Sequence, residues 1–153
     1  MIELTIRPHS WDLPLFFHIA GALALIAALV AGFCVLVVAW RSDGDTRTRL
    51  SSIGFRTLLY AAIPSYLVMR IAAQLVVSKE HLDDSTAEWL NLAYPFTDGA
   101  GALLLIATIL TGLGARRQRR GGGFGLAAAA TVLTGIALVS LVVVIWAMTT
   151  KPI

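Results

Sequence analysis

Charge is scarce in this chain. Lysine, arginine, aspartate and glutamate make up 14% of 153 residues, against roughly 25% in an ordinary soluble domain, too few to cover a surface that water must wet. Cysteine is rarer still. Cys34 stands alone, which excludes an intramolecular disulfide, a CxxC redox pair and a cysteine-based zinc site; inside an apolar block it reads as a small packing residue. Reaction signatures are missing too: no GxSxG elbow, no HExxH, no paired carboxylates within an apolar block, and no Gly-Lys-Ser/Thr after Gly121-Gly122-Gly123. Ser65 has no neighbouring base. Alternation with a period of two residues is absent as well, which argues against a membrane β-barrel.

Apolar length is what the chain has. Hydrophobic residues make up 58% of it, with a mean hydropathy of +0.80. They gather into four blocks at about 14–40, 55–78, 96–115 and 124–148. Each reaches the ~20 residues that a helix needs to cross a ~30 Å hydrocarbon layer. The expected fold is therefore all-α: a membrane four-helix bundle forming a single transmembrane domain over 1–153, with the lipid bilayer as its solvent. Residues 1–13 hold one basic side chain, Arg7, beside Glu3, Pro8 and Asp12. The apolar run after them is too long for a signal h-region, so it reads as a retained helix.

Arginine placement predicts orientation. Arg41, Arg47, Arg49 and Arg56 lie around the first connection, and Arg116, Arg117, Arg119 and Arg120 in the third. Arg7, Lys79 and Lys151 are the basic residues of the other side. Eight against three puts the first and third connections in the cytoplasm and both termini outside. Trp11, Trp89, Tyr94 and Trp146 then mark the outer interface and Trp40 the inner one. The net charge of +3 and pI near 9.5 thus reflect topology and contact with acidic headgroups; no nucleic acid is implied. In the second connection, Ser85-Thr86-Ala87-Glu88 has the spacing of a capping box and predicts a short interfacial helix over about 86–93.

An internal match points to two related hairpins. Residues 16–32, FFHIAGALALIAALVAG, lie over 96–112, FTDGAGALLLIATILTG, with nine identities in seventeen at an offset of 80. This arrangement would relate two helical hairpins by an axis along the membrane normal. Ala20, Ala24, Ala28 and Gly32 recur every fourth residue, the spacing that lets helix backbones approach closely.

Polar residues inside the blocks are the candidate site. Arg70 lies eight residues, about 12 Å, from the end of the second block. A lone arginine in mid-membrane costs ~2.5–3.5 kcal/mol on insertion scales, so it needs a partner or water. Its side chain, leaning toward the helix N-terminus, is expected to point deeper into the membrane. Tyr66, Arg70 and Gln74 form one stripe at i, i+4 and i+8, and Pro64 loosens the helix beneath them. Asp98, the one acid within a block, is the expected partner, and the offset of 80 sets His18 opposite it. Asp98 could also act with Thr97 as a helix cap, and His18 could bond to a neighbouring carbonyl.

The start of the first block, LFFHIAGALALIAALVAG, resembles the first helix of DUF2269-type proteins, CopD-like copper-resistance proteins and HemJ-type haem-biosynthesis proteins, with His18 as counterpart of the histidine that begins it. The likeness covers that helix alone. YLVMRIAAQLVVSKE and TDGAGALLLIATILTGL look like segments of uncharacterised four-helix proteins of high-GC bacteria, which implies an inner-membrane location and no assigned activity.

The leading expectation is a non-enzymatic accessory or assembly component working with other membrane subunits or by self-association, without a cofactor. One alternative is a redox protein binding haem b or a metal through His18 with His81 or His9. Another is a small-solute transporter or channel with Arg70 in its path.

Overall fold

The structure, a computed structural model, describes residues 12–79 and 88–149. Five α-helices follow one another: α1 (Asp12–Arg41), α2 (Gly44–Thr57), α3 (Ile63–Lys79), α4 (Glu88–Gln118) and α5 (Gly125–Thr149). A single π turn, Leu58–Ala62, joins α2 to α3 without interrupting the rod. Four segments are long and apolar enough to cross a membrane: Leu13–Arg41, Gly44–Ser78, Tyr94–Gln118 and Gly125–Trp146. The all-α four-helix bundle expected from the blocks is what forms.

Three features differ from expectation. The second rod starts at Gly44 rather than near 55, so the first connection shrinks to Ser42-Asp43. Gly44 makes this turn possible: its φ of +55° lies where side chains with a Cβ are strained. Hydropathy alone hid α2, because its arginines, serines and threonines read as a loop. The helix is stabilised instead by Asp45 in its first turn and Arg56 in its last, which suit the helix dipole, and by burial of Ser51, Gly54 and then Leu58. The separate interfacial helix expected at 86–93 is absent as such. From Glu88 onward the chain is already α4, running through Pro95 into the span; Ser85, Thr86 and Ala87 lie outside the described residues. Cys34, expected in the packing, faces outward.

Pro64 explains the π turn. Proline cannot donate a backbone hydrogen bond, and its ring collides with the carbonyl four residues back. One turn of wider pitch just before it, closed by Ile63 N–H to the Leu58 carbonyl, accommodates both problems.

The rods form a ring in which α1 packs on α2 and α3, α2 on α4, α4 on α5, and α5 on α1. Leu25, Leu29, Leu36, Leu58 and Leu104 fill the centre and are essentially inaccessible. Glycines admit the closest approaches. A methyl on Gly21 would stand 2.8 Å from the Met69 backbone nitrogen, and one on Gly54 would stand 2.7 Å from Leu36 Cδ2. Helices driven together by van der Waals contact rather than by the hydrophobic effect need such small residues.

The internal match takes a different form in three dimensions. At an offset of 80, Leu25 is 1% exposed and its partner Leu105 54%, so identical residues do not share environments. Burial repeats instead at an offset of 79: Gly21 with Ala100, Leu25 with Leu104, Ala28 with Ala107, Gly32 with Thr111, Leu36 with Ala115 and Ala39 with Gln118 are all buried. Both leading helices turn inward with the same rhythm, while the identities lie one residue out of step. Of the four-residue stripe, Ala28 and Gly32 are buried and Ala24 faces out.

Candidate functional site

Near the end of the bundle remote from the arginine cluster, α3 leans onto α1 and only grazes α4. Polar side chains bridge the seam thus left. Arg70 Nε lies 2.9 Å from Asp98 Oδ1, and Nη2 donates to Oδ2 at 3.2 Å. This is a two-point contact, the geometry that makes arginine–carboxylate pairs strong and directional. With its amide oxygen turned toward the guanidinium, Gln74 accepts from Nη1 at 2.7 Å and from Nη2 at 3.2 Å. The Tyr94 ring lies 5.1 Å from the guanidinium carbon, within cation–π range.

Arg70 therefore does not point deeper, as the lean of helical side chains suggested. It is held by Gln74, one turn nearer the end of α3, and by Tyr94, where the α4 span begins. Its flexible aliphatic stem lets the charged head travel toward the surface while the methylenes stay on apolar neighbours.

Tyr66 closes the seam from within. Its hydroxyl donates to the Thr97 carbonyl at 3.4 Å, and its ring occupies the space left by the missing side chain of Gly101, where a methyl would overlap ring and hydroxyl. On the α1 side, His18 Nδ1 lies 3.1 Å from the Met69 carbonyl. That bond requires the proton on Nδ1, which leaves Nε2 with the lone pair in the neutral ring. His18 is thus joined to α3 next to Arg70 and bonds to a carbonyl rather than to Asp98. At the offset of 79 its counterpart is Thr97, whose carbonyl receives Tyr66.

The pair is only partly sheltered. The Arg70 side chain is 23% exposed and that of Asp98 54%, and Gln74 is exposed. On α4 the inward positions are Ala100, Leu104, Ala107 and Thr111. Asp98, two residues before Ala100, projects onto the flank away from them at 100° per residue. The ion pair therefore lies on the outside of the bundle, not in a central channel.

A second polar contact, which the sequence reading missed, joins α2 to α4 at the arginine-rich end. Buried Ser51 donates to Gln118 Oε1 at 3.2 Å, and Arg119 Nη2 donates to Ser52 Oγ at 2.9 Å. Both links span 67 residues, and the adjacent polar pairs Ser51-Ser52 and Gln118-Arg119 were the signal. Gln118 Nε2 has no partner among the described residues.

No group of three His, Cys, Asp or Glu side chains comes together among the described residues, and His9 and His81 lie outside them. No family model, curated protein or solved structure matches the chain.

Proposed function

We propose that this is a non-enzymatic accessory or assembly protein of a bacterial inner membrane, which joins another membrane chain through the α3–α4 seam. One observation carries the reading: a two-point arginine–carboxylate pair, with an exposed glutamine beside it, sits on the outer flank of a membrane span. Hydrocarbon is a poor neighbour for a half-exposed carboxylate, whereas a facing helix with its own polar group satisfies it. Exposed Leu67 and Leu105 extend the same surface with apolar contact area. The positive-inside rule supports an orientation with the arginine-rich end in the cytoplasm, so the seam would meet its partner in the outer leaflet.

Photoreactive residues test this in native membranes. Placed at Leu67 or Leu105, they should yield a discrete adduct that a probe at Val142, exposed on α5, does not. Asp98→Asn should reduce the adduct several-fold, and the adduct's mass distinguishes a second copy from a different chain. Equal labelling from the α3–α4 and α5 positions, unchanged in Asp98→Asn, would refute the proposal.

A further inference from the structure

Between α1 and α5, with Phe96 of α4 also on its wall, runs an apolar groove of about 560 Å³ lined by Phe33, Val37, Trp40, Gly135 and Val139, among others. Its hydroxyl-bearing residues are already satisfied. Thr131 donates to the Ala127 carbonyl at 2.8 Å and Ser140 to the Ile136 carbonyl at 2.9 Å. With both hydroxyl protons committed, the wall offers a polar ligand little beyond two hydroxyl oxygens and the Trp40 indole.

Dimensions narrow the occupant further. From Thr131 to Val143 the groove follows twelve residues of α5, about 18 Å at 1.5 Å per residue. Its volume spread over that length gives a section about 6 Å across, which an acyl chain fills, whereas a helix, ~10–12 Å across with its side chains, would lie over the groove rather than in it. One leaflet of hydrocarbon is about 15 Å deep, half of the ~30 Å core. A single acyl chain entering from the arginine-rich end along one leaflet reaches the level of Gly135, ten residues into α5.

The mouth at the arginine-rich end names the headgroup. Trp40, a wall of the groove, lies with its ring 6.2 Å from that of Phe124, and the Arg47 guanidinium stands 5.3 Å from the Phe124 ring centre. Arg47 is held in place by Asp43 Oδ1 at 2.8 Å and the Ser42 carbonyl at 2.6 Å. Arg41, exposed, follows Trp40 directly. Eight arginines (41, 47, 49, 56, 116, 117, 119 and 120) gather at this end with two acids, Asp43 and Asp45.

We propose that the α1–α5 groove is a binding site for one anionic phospholipid, its acyl chain lying along Gly135 and Val139 and its phosphate meeting Arg41 and Arg47. Gly135 is what keeps the floor low: a methyl there would stand 3.0 Å from Phe33 Cε2. The site's phosphate end lies on α1 and α2, apart from the seam on α3 and α4.

Native mass spectrometry of protein released from bilayers of mixed phosphatidylglycerol and phosphatidylcholine tests it. One phosphatidylglycerol should survive activation that strips all other lipid. Val139→Trp, at an exposed groove position that tolerates bulk, should abolish this retention while helicity and melting temperature stay at the parent's values. Arg41→Gln and Arg47→Gln should each lower the preference for phosphatidylglycerol about fivefold, the factor that ~1 kcal/mol per basic residue at a membrane surface represents. Retention unchanged in folded Val139→Trp overturns the site, and a preference unmoved by both arginine variants overturns its headgroup half. A polypeptide adduct from a photoreactive residue at Val139, in place of lipid, overturns the choice of occupant.

Discussion

The α4–α5 hairpin and the α3–α4 seam show two ways of holding helices together where water gives no help. In the hairpin the contact is close and built from small residues: Ala107, Thr111 and Ala115 on α4, and Ala127, Ala130, Thr134 and Ala137 on α5, all buried. A methyl on Gly114 would stand 3.0 Å from the Ala127 backbone nitrogen. Thr108, Thr111, Thr131 and Thr134 turn their hydroxyls onto their own helices, each donating to the carbonyl four residues back. None of these four hydroxyls depends on the partner helix. At the seam the backbones stand apart, and long side chains reach across with groups that have no good alternative in hydrocarbon. The hairpin should tolerate loss of polarity and resist added volume; the seam should do the reverse.

Ala127→Leu is the severest way to break the comparison. Three more carbons at a fully buried position facing backbone have nowhere to go, and overpacking costs ~1–3 kcal/mol or more. Melting in detergent should fall by an amount at the upper end of that range; a variant as stable as the parent would mean that the hairpin is looser than described. A double-mutant cycle on Arg70→Met and Asp98→Leu comes next. Removing Asp98 alone leaves the arginine exposed to hydrocarbon, for about 1–2 kcal/mol at this partly solvated depth. Replacing both should be milder than replacing Asp98 alone, because no lone charge remains. Additive effects would show that the two residues do not act as a pair. The smallest effect belongs to Thr131→Val. A hydroxyl bonded only within its own helix is worth a few tenths of a kcal/mol across this interface, and a loss above ~1 kcal/mol would require a partner on another helix.

Hydropathy and spacing carried the number of crossings, their rough limits and the notion that Arg70 seeks Asp98, because long apolar runs and isolated charges are both properties of the chain itself. What they missed depends on neighbours. α2 is polar in composition and forms a helix because Ser51 and Gly54 have α1 and α4 to bury against. The Ser51–Gln118 contact joins residues 67 apart, and neither is unusual in its own segment. Arg70 turns toward the surface because Gln74 and Tyr94 wait there, a matter of where two other side chains end. The outward position of Cys34 follows from the phase of α1, which turns Leu36 and Ala39 inward; membership of an apolar block does not tell which way a residue faces.

The wide turn at Leu58–Ala62 has a consequence for lineage as well as shape. A π turn holds one residue more than the α-helix it interrupts, and each residue added to a helix rotates everything after it by about 100°. Arg70 and Gln74 look toward α4 only because that extra residue has been absorbed upstream. Deleting a single codon between 58 and 62 would leave the composition, hydropathy and length of this rod nearly unchanged, yet swing its charge about a quarter-turn away from Asp98. Among descendants of this gene, a one-residue gap here would therefore be expected to travel with loss of the acid at 98.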